Sequence, residues 1–306
     1  MKNKGLLFII FFLISQLSFS QAWRYSRHEV QLGLGASNFL GDLGGSSGVG
    51  THGVKDLKVR STRPTLMIGY KYMITPAVSV KGSFITSYLS GDDALTSDFV
   101  RHNRNLSFRS GLWELGGSVE LYPFTERTSN RYRVRGGSGN KRPAISPYFV
   151  AGVSFAMFNP KTQLNGEWVS LQPLGTEGQG LAGRPDKYKR YTISFPVGIG
   201  MKYLIDRNWS IGFEASVRYA MTDYLDDVST SYYTASEIES ANGSTAALLS
   251  DRALDPSLGT TGVMHYADGS NNYLQRGNPI YNDAYTFAIF SVHYRLRKGV
   301  KFIPKF

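Results

Sequence analysis

Apolar and polar residues alternate along most of the chain. From Val30, the apolar Leu32, Leu34 and Ala36 are separated by Gln31, Gly33, Gly35 and Ser37, which are small or polar. The same period recurs at Leu66–Tyr72, Val78–Ser83, Trp113–Leu121, Tyr148–Phe155, Tyr191–Tyr203, Trp209–Tyr219 and Tyr285–Leu296. A period of two places one apolar and one polar row on opposite faces of a β-strand. The pattern therefore predicts eight strands. The only helix-like stretch is Thr234–Leu254, interrupted at Gly243, and it predicts one or two short helices in a loop.

The sixth and seventh strands say most about the solvent. One face of the sixth carries Ile193, Phe195, Val197, Ile199 and Met201, with Tyr191 and Tyr203 at its ends. The opposite face carries glycine, serine and lysine, and on the seventh strand Glu214 and Arg218 join them. A soluble eight-stranded barrel or sandwich would bury the apolar face. A membrane barrel turns that face to lipid, ringed by aromatic residues, and keeps a polar lumen. Backbone groups in lipid must all be paired, so such a sheet has to close. An even strand number and girdled alternation favour an eight-stranded antiparallel up-and-down transmembrane β-barrel.

Connection lengths support this reading. Met73–Pro76 and Ile205–Asn208 are tight, whereas Phe39–Thr62, Leu89–Leu106, Asn159–Lys187 and Met221–Asp283 are long. Short periplasmic turns and long external loops characterise outer-membrane barrels, which puts both termini in the periplasm. The turn over 124–143 is too long for its side, which marks it as a functional feature.

The amino terminus fits that location. Lys2 and Lys4 precede an apolar run from Leu6 to Leu17, with Ser18 and Ser20 just before Gln21. A basic start, a short apolar run and small residues at a cut site predict a signal peptide over 1–20 and a mature barrel over 21–306. The run is shorter than the ~20 residues a spanning helix needs. Composition adds exclusions. There is no cysteine, hence no disulfide, thiol chemistry or zinc–thiolate site. Aromatic content of 13% with long apolar alternation excludes general disorder. Mean hydropathy of −0.22 with a single apolar run excludes a multi-span helical protein.

Sorted by compartment, the formal charge of +11 divides. Export removes two lysines and leaves +9. The periplasmic stretches hold thirteen bases: Arg24 and Arg27, then Arg127, Arg131, Arg133, Arg135, Lys141 and Arg142, then Arg295, Arg297, Lys298, Lys301 and Lys305. Glu126 is the one acid set against them. The external loop 221–283 has nine acids and two bases, Arg252 and Arg276. Secretion makes nucleic acid an unsuitable partner for the bases. They predict either a solvated rim beside anionic lipid or a docking face, built from the turn 124–143 and the tail 297–306, for an acidic periplasmic protein.

Catalytic chemistry finds little support. Lumen candidates Lys71, Lys81, Glu114, Glu120, Lys202, Glu214 and Arg218 carry both signs and are expected to pair and plug a narrow barrel. His28 and His293 fall near the periplasmic ends, and His52, His102 and His265 in external loops. None has a serine and a carboxylate at a spacing that places the three together, and no lipase-type GxSxG surrounds one. Asp223, Asp226 and Asp227 could chelate a cation but lack EF-hand spacing, so loop capping is the expected role. No enzyme activity, cofactor or resident metal is expected.

Four stretches carry a family resemblance: GASNFLGDLGG (35–45), RHNRNLSFRSGLWELGGSVELYPF (101–124), TDYLDDVSTSYY (222–233) and LQRGNPIYNDAY (274–285). Together they resemble a family of small outer-membrane barrels that includes the PorG-type component of type IX protein secretion. The resemblance implies an eight-stranded barrel without catalytic residues, and in PorG-type members contact with periplasmic secretion-ring subunits. The long external loop and the basic tail depart from the smaller members. The expected function is a non-enzymatic anchor or scaffold in the outer membrane, in contact with its lipid. The alternative is a structural or adhesive surface barrel of the OmpA type working through its acidic external loop.

Overall fold

The computed structural model describes residues 27–43, 59–124, 145–206, 208–265 and 271–296. Its strands are β1 (His28–Leu40), β2 (Arg63–Met73), β3 (Val78–Asp92), β4 (Ser107–Leu121), β5 (Ile145–Leu164), β6 (Glu167–Ser170), β7 (Tyr191–Leu204), β8 (Trp209–Ala220), β9 (Val263–His265), β10 (Asn271–Tyr273) and β11 (Ala284–Leu296). Helices α1 (Phe99–Arg104), α2 (Ala235–Asn242) and α3 (Ser244–Ser250) lie in the connections.

Eight strands close into a ring. β1 pairs antiparallel with β2 on one side and with β11 on the other, and the circuit continues through β3, β4, β5, β7 and β8 back to β11. No edge is left in the ring, which removes the unpaired backbone groups that an open sheet would expose. The tight turns after Met73 and Leu204 share one end with the start of β1 and the finish of β11. The long connections after Leu40, Asp92, Leu164 and Ala220 share the other end, whereas β4 and β5 are joined at the tight-turn end.

Burial runs opposite to that of a soluble protein. Leu34 is 68% exposed, Ile199 60% and Phe290 69%, whereas Lys71 and Lys202 are 1% exposed. Scattered exposed apolar residues are ordinary, but a contiguous belt with the charges inside is not. The soluble alternative is thereby excluded. Trp209 and Tyr294 touch at 4.7 Å and, with the exposed Tyr203, mark the turn end of the belt; Tyr191 and Tyr219 mark the other.

Three strands extend past their apolar alternation. β3, β4 and β5 reach Asp92, Ser107 and Leu164 because the backbone ladder continues where the outward face has turned polar, beyond the reach of a hydropathy pattern. β6 was not expected. It returns along β5 through Asn165 and Gly166, at φ of 50° and 90°. That Asn-Gly pair is the strongest short hairpin signal and could have been read.

Candidate functional site: a plugged lumen beneath a folded cap

The inward phase of each strand delivers its charges to the lumen. All seven expected lumen charges are buried there. Lys71 lies 2.5 Å from Glu120 and 3.6 Å from Glu29. Lys81 bridges Glu120 at 3.4 Å and Glu214 at 2.6 Å, and Arg218 reaches Glu114 at 3.4 Å. Glu29 adds Lys202 at 2.5 Å, His293 at 2.8 Å and Arg295 at 3.7 Å.

Glu29, His293 and Arg295 enlarge the expected set. Arg295 departs from the expectation of a periplasmic base: it is 3% exposed and points inside. It shares the inward phase of β11 with Ser291 and His293, so the alternation itself carried the information. A buried ion pair repays its desolvation only when every partner is satisfied. Here the carboxylates are shared between cations, and Tyr122 adds hydrogen bonds, donating to Glu120 at 2.7 Å and accepting from Lys71 at 2.9 Å.

The lumen is also sterically full. A methyl group on Gly200 would sit 2.2 Å from the Tyr148 ring. Between Lys81, Glu114, Glu214 and Arg218 there is a void of about 10 Å³, room for a single water at most.

One arrangement was missed. Ser291 Oγ lies 2.8 Å from His293 Nε2, and His293 Nδ1 lies 2.8 Å from Glu29 Oε1. Contrary to expectation, a histidine does stand between a serine and a carboxylate in the order of a nucleophilic triad. The fold brings Glu29 beside β11 by closing the ring, which spacing cannot reveal. Catalysis also needs space for a reacting atom beside the nucleophile. A Cβ on Gly212 would fall 2.6 Å from His293 Nε2 and 3.0 Å from Ser291 Oγ, so the neighbouring strand covers both groups. Glu29 is meanwhile engaged by Lys202. The geometry is that of a sealed hydrogen-bond row. His28, by contrast, is at the turn end against Tyr70 and Tyr72, and His102 lies in α1. His265 ends β9, and His52 lies outside the described residues.

The long connections fold into a cap. Leu43, Leu106, Leu171, Leu225, Val228 and Leu249 form a common apolar core with Phe39, Phe108 and Phe158 at the rim of the barrel. α2 and α3 occupy the expected segment and meet at Gly243, whose φ of 91° breaks the helical path. Two buried arginines tie the connections together. Arg104 forks onto Asp93 at 2.7 and 2.9 Å and donates to the carbonyls of Asp42 and Arg276. Arg276 reaches Glu177 at 3.1 Å and donates to the Asp227 carbonyl at 2.7 Å. Glu177 in turn accepts from the Ser229 and Thr230 amides.

The acidic loop therefore differs from a charged surface. Asp223, Asp226, Asp227 and Asp283 are buried. Asp226 accepts from the Leu43 and Val228 amides, and Asp283 from the Leu225 amide. Asp227 accepts from the Thr176 and Tyr188 hydroxyls. Of the three aspartates considered as metal ligands, Asp226 and Asp227 thus turn to different partners. Among the described residues no group of three or more His, Asp or Glu side chains is arranged to hold a metal ion. Burial, with Asp42 and Glu177 nearby, pushes Asp223 up to about 8. Burial also raises Asp227, to about 6, against the pull of Arg276.

The bases proposed for docking, Arg127, Arg131, Arg133, Arg135, Lys141, Arg142, Arg297, Lys298 and Lys301, lie outside the described residues, as does the segment 1–20. Arg27 is described and donates to the Tyr72 hydroxyl at 3.0 Å.

A closed ring of eight antiparallel strands with an apolar exterior and an ionic interior defines a membrane-type β-barrel. The chain belongs to the DUF6089 family, a domain of unknown function, whose profile matches residues 4–242. A search of curated proteins gave no match. Among solved structures it is similar to Neisserial surface protein A (NspA), at 10% identity and a TM-score of 0.39, covering 88% of this chain and 97% of that one. It is similar to the outer membrane protein OprG of Pseudomonas aeruginosa, at 9% identity and a TM-score of 0.38, covering 90% and 98%. It is also similar to outer membrane protein W of E. coli, at 14% identity and a TM-score of 0.34, covering 89% and 100%.

Proposed function

We propose that this protein is a non-enzymatic anchor of the outer membrane, with both termini in the periplasm, and that it serves type IX protein secretion as a PorG-type component. The single observation that carries the scaffold reading is the filled lumen. Shared ion pairs and a tyrosine-packed interior leave no path for solutes, so work must be done by the ends of the barrel. The four resembling stretches support the PorG-type assignment, and the bases of 124–143 and 297–306 supply a face for an acidic ring subunit or lipoprotein. The adhesive alternative loses support because four of the acids it relied on are buried in the cap.

The test is a pull-down from membranes of the native host. Replacing Arg131, Arg133 and Arg135 with glutamate should abolish capture of a periplasmic partner while the barrel stays heat-modifiable on gels. Capture at the wild-type level by the folded variant would remove the docking face. Deletion of the gene should retain secreted cargo in the cell; normal secretion with altered surface binding would favour the adhesive reading instead.

A further inference from the structure

Outside the barrel, near the cap, a groove of about 680 Å³ opens on the face of β3, β4 and β5. Its floor follows two outward rows in register. Trp113 pairs with Met157, Gly111 with Asn159, and Arg109 with Lys161. Each step of two residues advances about 7 Å. Some 13 Å therefore separates an apolar end, continuous with the exposed Leu115 and Phe155, from a cationic end. Arg190 adds a third cation one step along, with Nη1 donating to Asn159 Oδ1 at 3.5 Å.

Two features make the cationic end unusual. Arg109 and Lys161 stand directly opposite each other on neighbouring strands, an arrangement that like charges disfavour. No ion pair to a carboxylate is formed by either, or by Arg190, among the described residues. The Arg109 guanidinium is held 4.3 Å from the Tyr88 ring and 5.7 Å from the Trp168 ring, and its Nε is buried without a hydrogen-bond partner. The β5–β6 hairpin brings Trp168 there as one wall. Gly111 leaves the floor open, since a Cβ there would meet nothing nearer than Tyr88 at 3.8 Å.

We infer that this groove binds a phosphorylated glycolipid of the surrounding leaflet, its phosphate held by Arg109, Lys161 and Arg190 and its acyl chains lying over Trp113 and Met157. An anion between Arg109 and Lys161 turns their repulsion into two charge-assisted hydrogen bonds. The direction of the groove selects an amphiphile over free phosphate: cations lie toward the cap, and the apolar end merges with the membrane-facing belt. The inference rests on the membrane reading proposed above.

The test uses the full-length protein in phosphatidylethanolamine nanodiscs doped with bis-phosphorylated lipid A or with its dephosphorylated form. Bound lipid is counted by native mass spectrometry after release into detergent. The wild type should retain the phosphorylated form at least ~10-fold better than the dephosphorylated one. The triple variant Arg109→Gln, Lys161→Gln, Arg190→Gln should lose that preference, and the charge-conserving pair Arg109→Lys, Lys161→Arg should keep part of it. Heat-modifiable migration identifies variants that fold. Equal retention of both lipids by the wild type overturns the inference, as does an unchanged preference in the folded triple variant. Displacement of lipid A by millimolar inorganic phosphate would also overturn it, by reducing the site to a simple anion trap. Failure of the wild type to insert into nanodiscs at all would instead remove the membrane reading on which it depends.

Discussion

Replacing Glu29 with glutamine probes the plug directly. The side chain keeps its shape and an acceptor for His293, but the carboxylate that lies 2.5 Å from Lys202 is lost. The lumen of the native protein sets four acidic side chains (Glu29, Glu114, Glu120, Glu214) against five basic ones besides His293 (Lys71, Lys81, Lys202, Arg218, Arg295). The variant widens that excess by one, in a lumen whose void beside Lys81 and Glu214 is only about 10 Å³. Breaking a buried pair from one side costs about 3–5 kcal/mol. Lys71 retains Glu120 at 2.5 Å, so the lower end, about 3 kcal/mol, applies. That is a loss of roughly a hundredfold in the folding equilibrium. Adding Lys202→Met removes the ammonium that faced the lost carboxylate and restores the native balance, so the double variant should recover more than half of the loss. Urea unfolding in phospholipid vesicles, followed by tryptophan fluorescence and by heat-modifiable migration, measures both. A cost below about 1 kcal/mol for Glu29→Gln, or no recovery in the double variant, would mean that the lumen charges are hydrated. The reasoning about a dry plug would then be wrong.

Two further outcomes follow from the cap and the sealed row. Asp223 and Asp227 have folded-state values raised above those of an unfolded aspartate, so the folded cap holds protons that the unfolded chain releases. Their contribution is fully favourable below about pH 4 and is lost as pH rises toward about 8. Hydrogen exchange at the Leu225 and Ser229 amides, corrected for intrinsic rate, should become less protected between pH 5 and pH 8.5, and Asp223→Asn should flatten that trend. Rising protection over the same range would contradict the assignment. For the Ser291–His293–Glu29 row, Ser291→Ala should leave the host's lipid A mass spectrum unchanged; a new acylation pattern would show that the row is open to substrate.

Much of the barrel was legible because alternation reports a face. The expectation for Lys71, Lys81 and Lys202 came from their phase alone, and each is where the phase put it. Legibility failed where both faces are apolar or where charge was counted without direction. In β11 the phase puts Arg295 in the inward row of His293, and only a count of charge without direction assigns it to the periplasm. The aspartates of the long connection count as surface charge in the sequence, yet Asp227 is spent on hydroxyls, and Asp226 and Asp283 on backbone amides. Asp226 finds one of them on Leu43, 183 residues away in the chain. Such partners are set by closure of the ring and docking of the cap, and no local spacing encodes them. The triad-like row was hidden for the same reason, since Glu29 and His293 meet only where the first strand pairs with the last.

A barrel that is a closed scaffold conducts no ions. Full-length protein reconstituted in a planar bilayer, with insertion verified by heat-modifiable migration, should show no stepwise current above the bilayer's own leak. Discrete, repeatable conductance steps that persist after the cap is removed by protease would place an open path through the ion pairs of Glu29, Glu120 and Glu214, and would contradict the account.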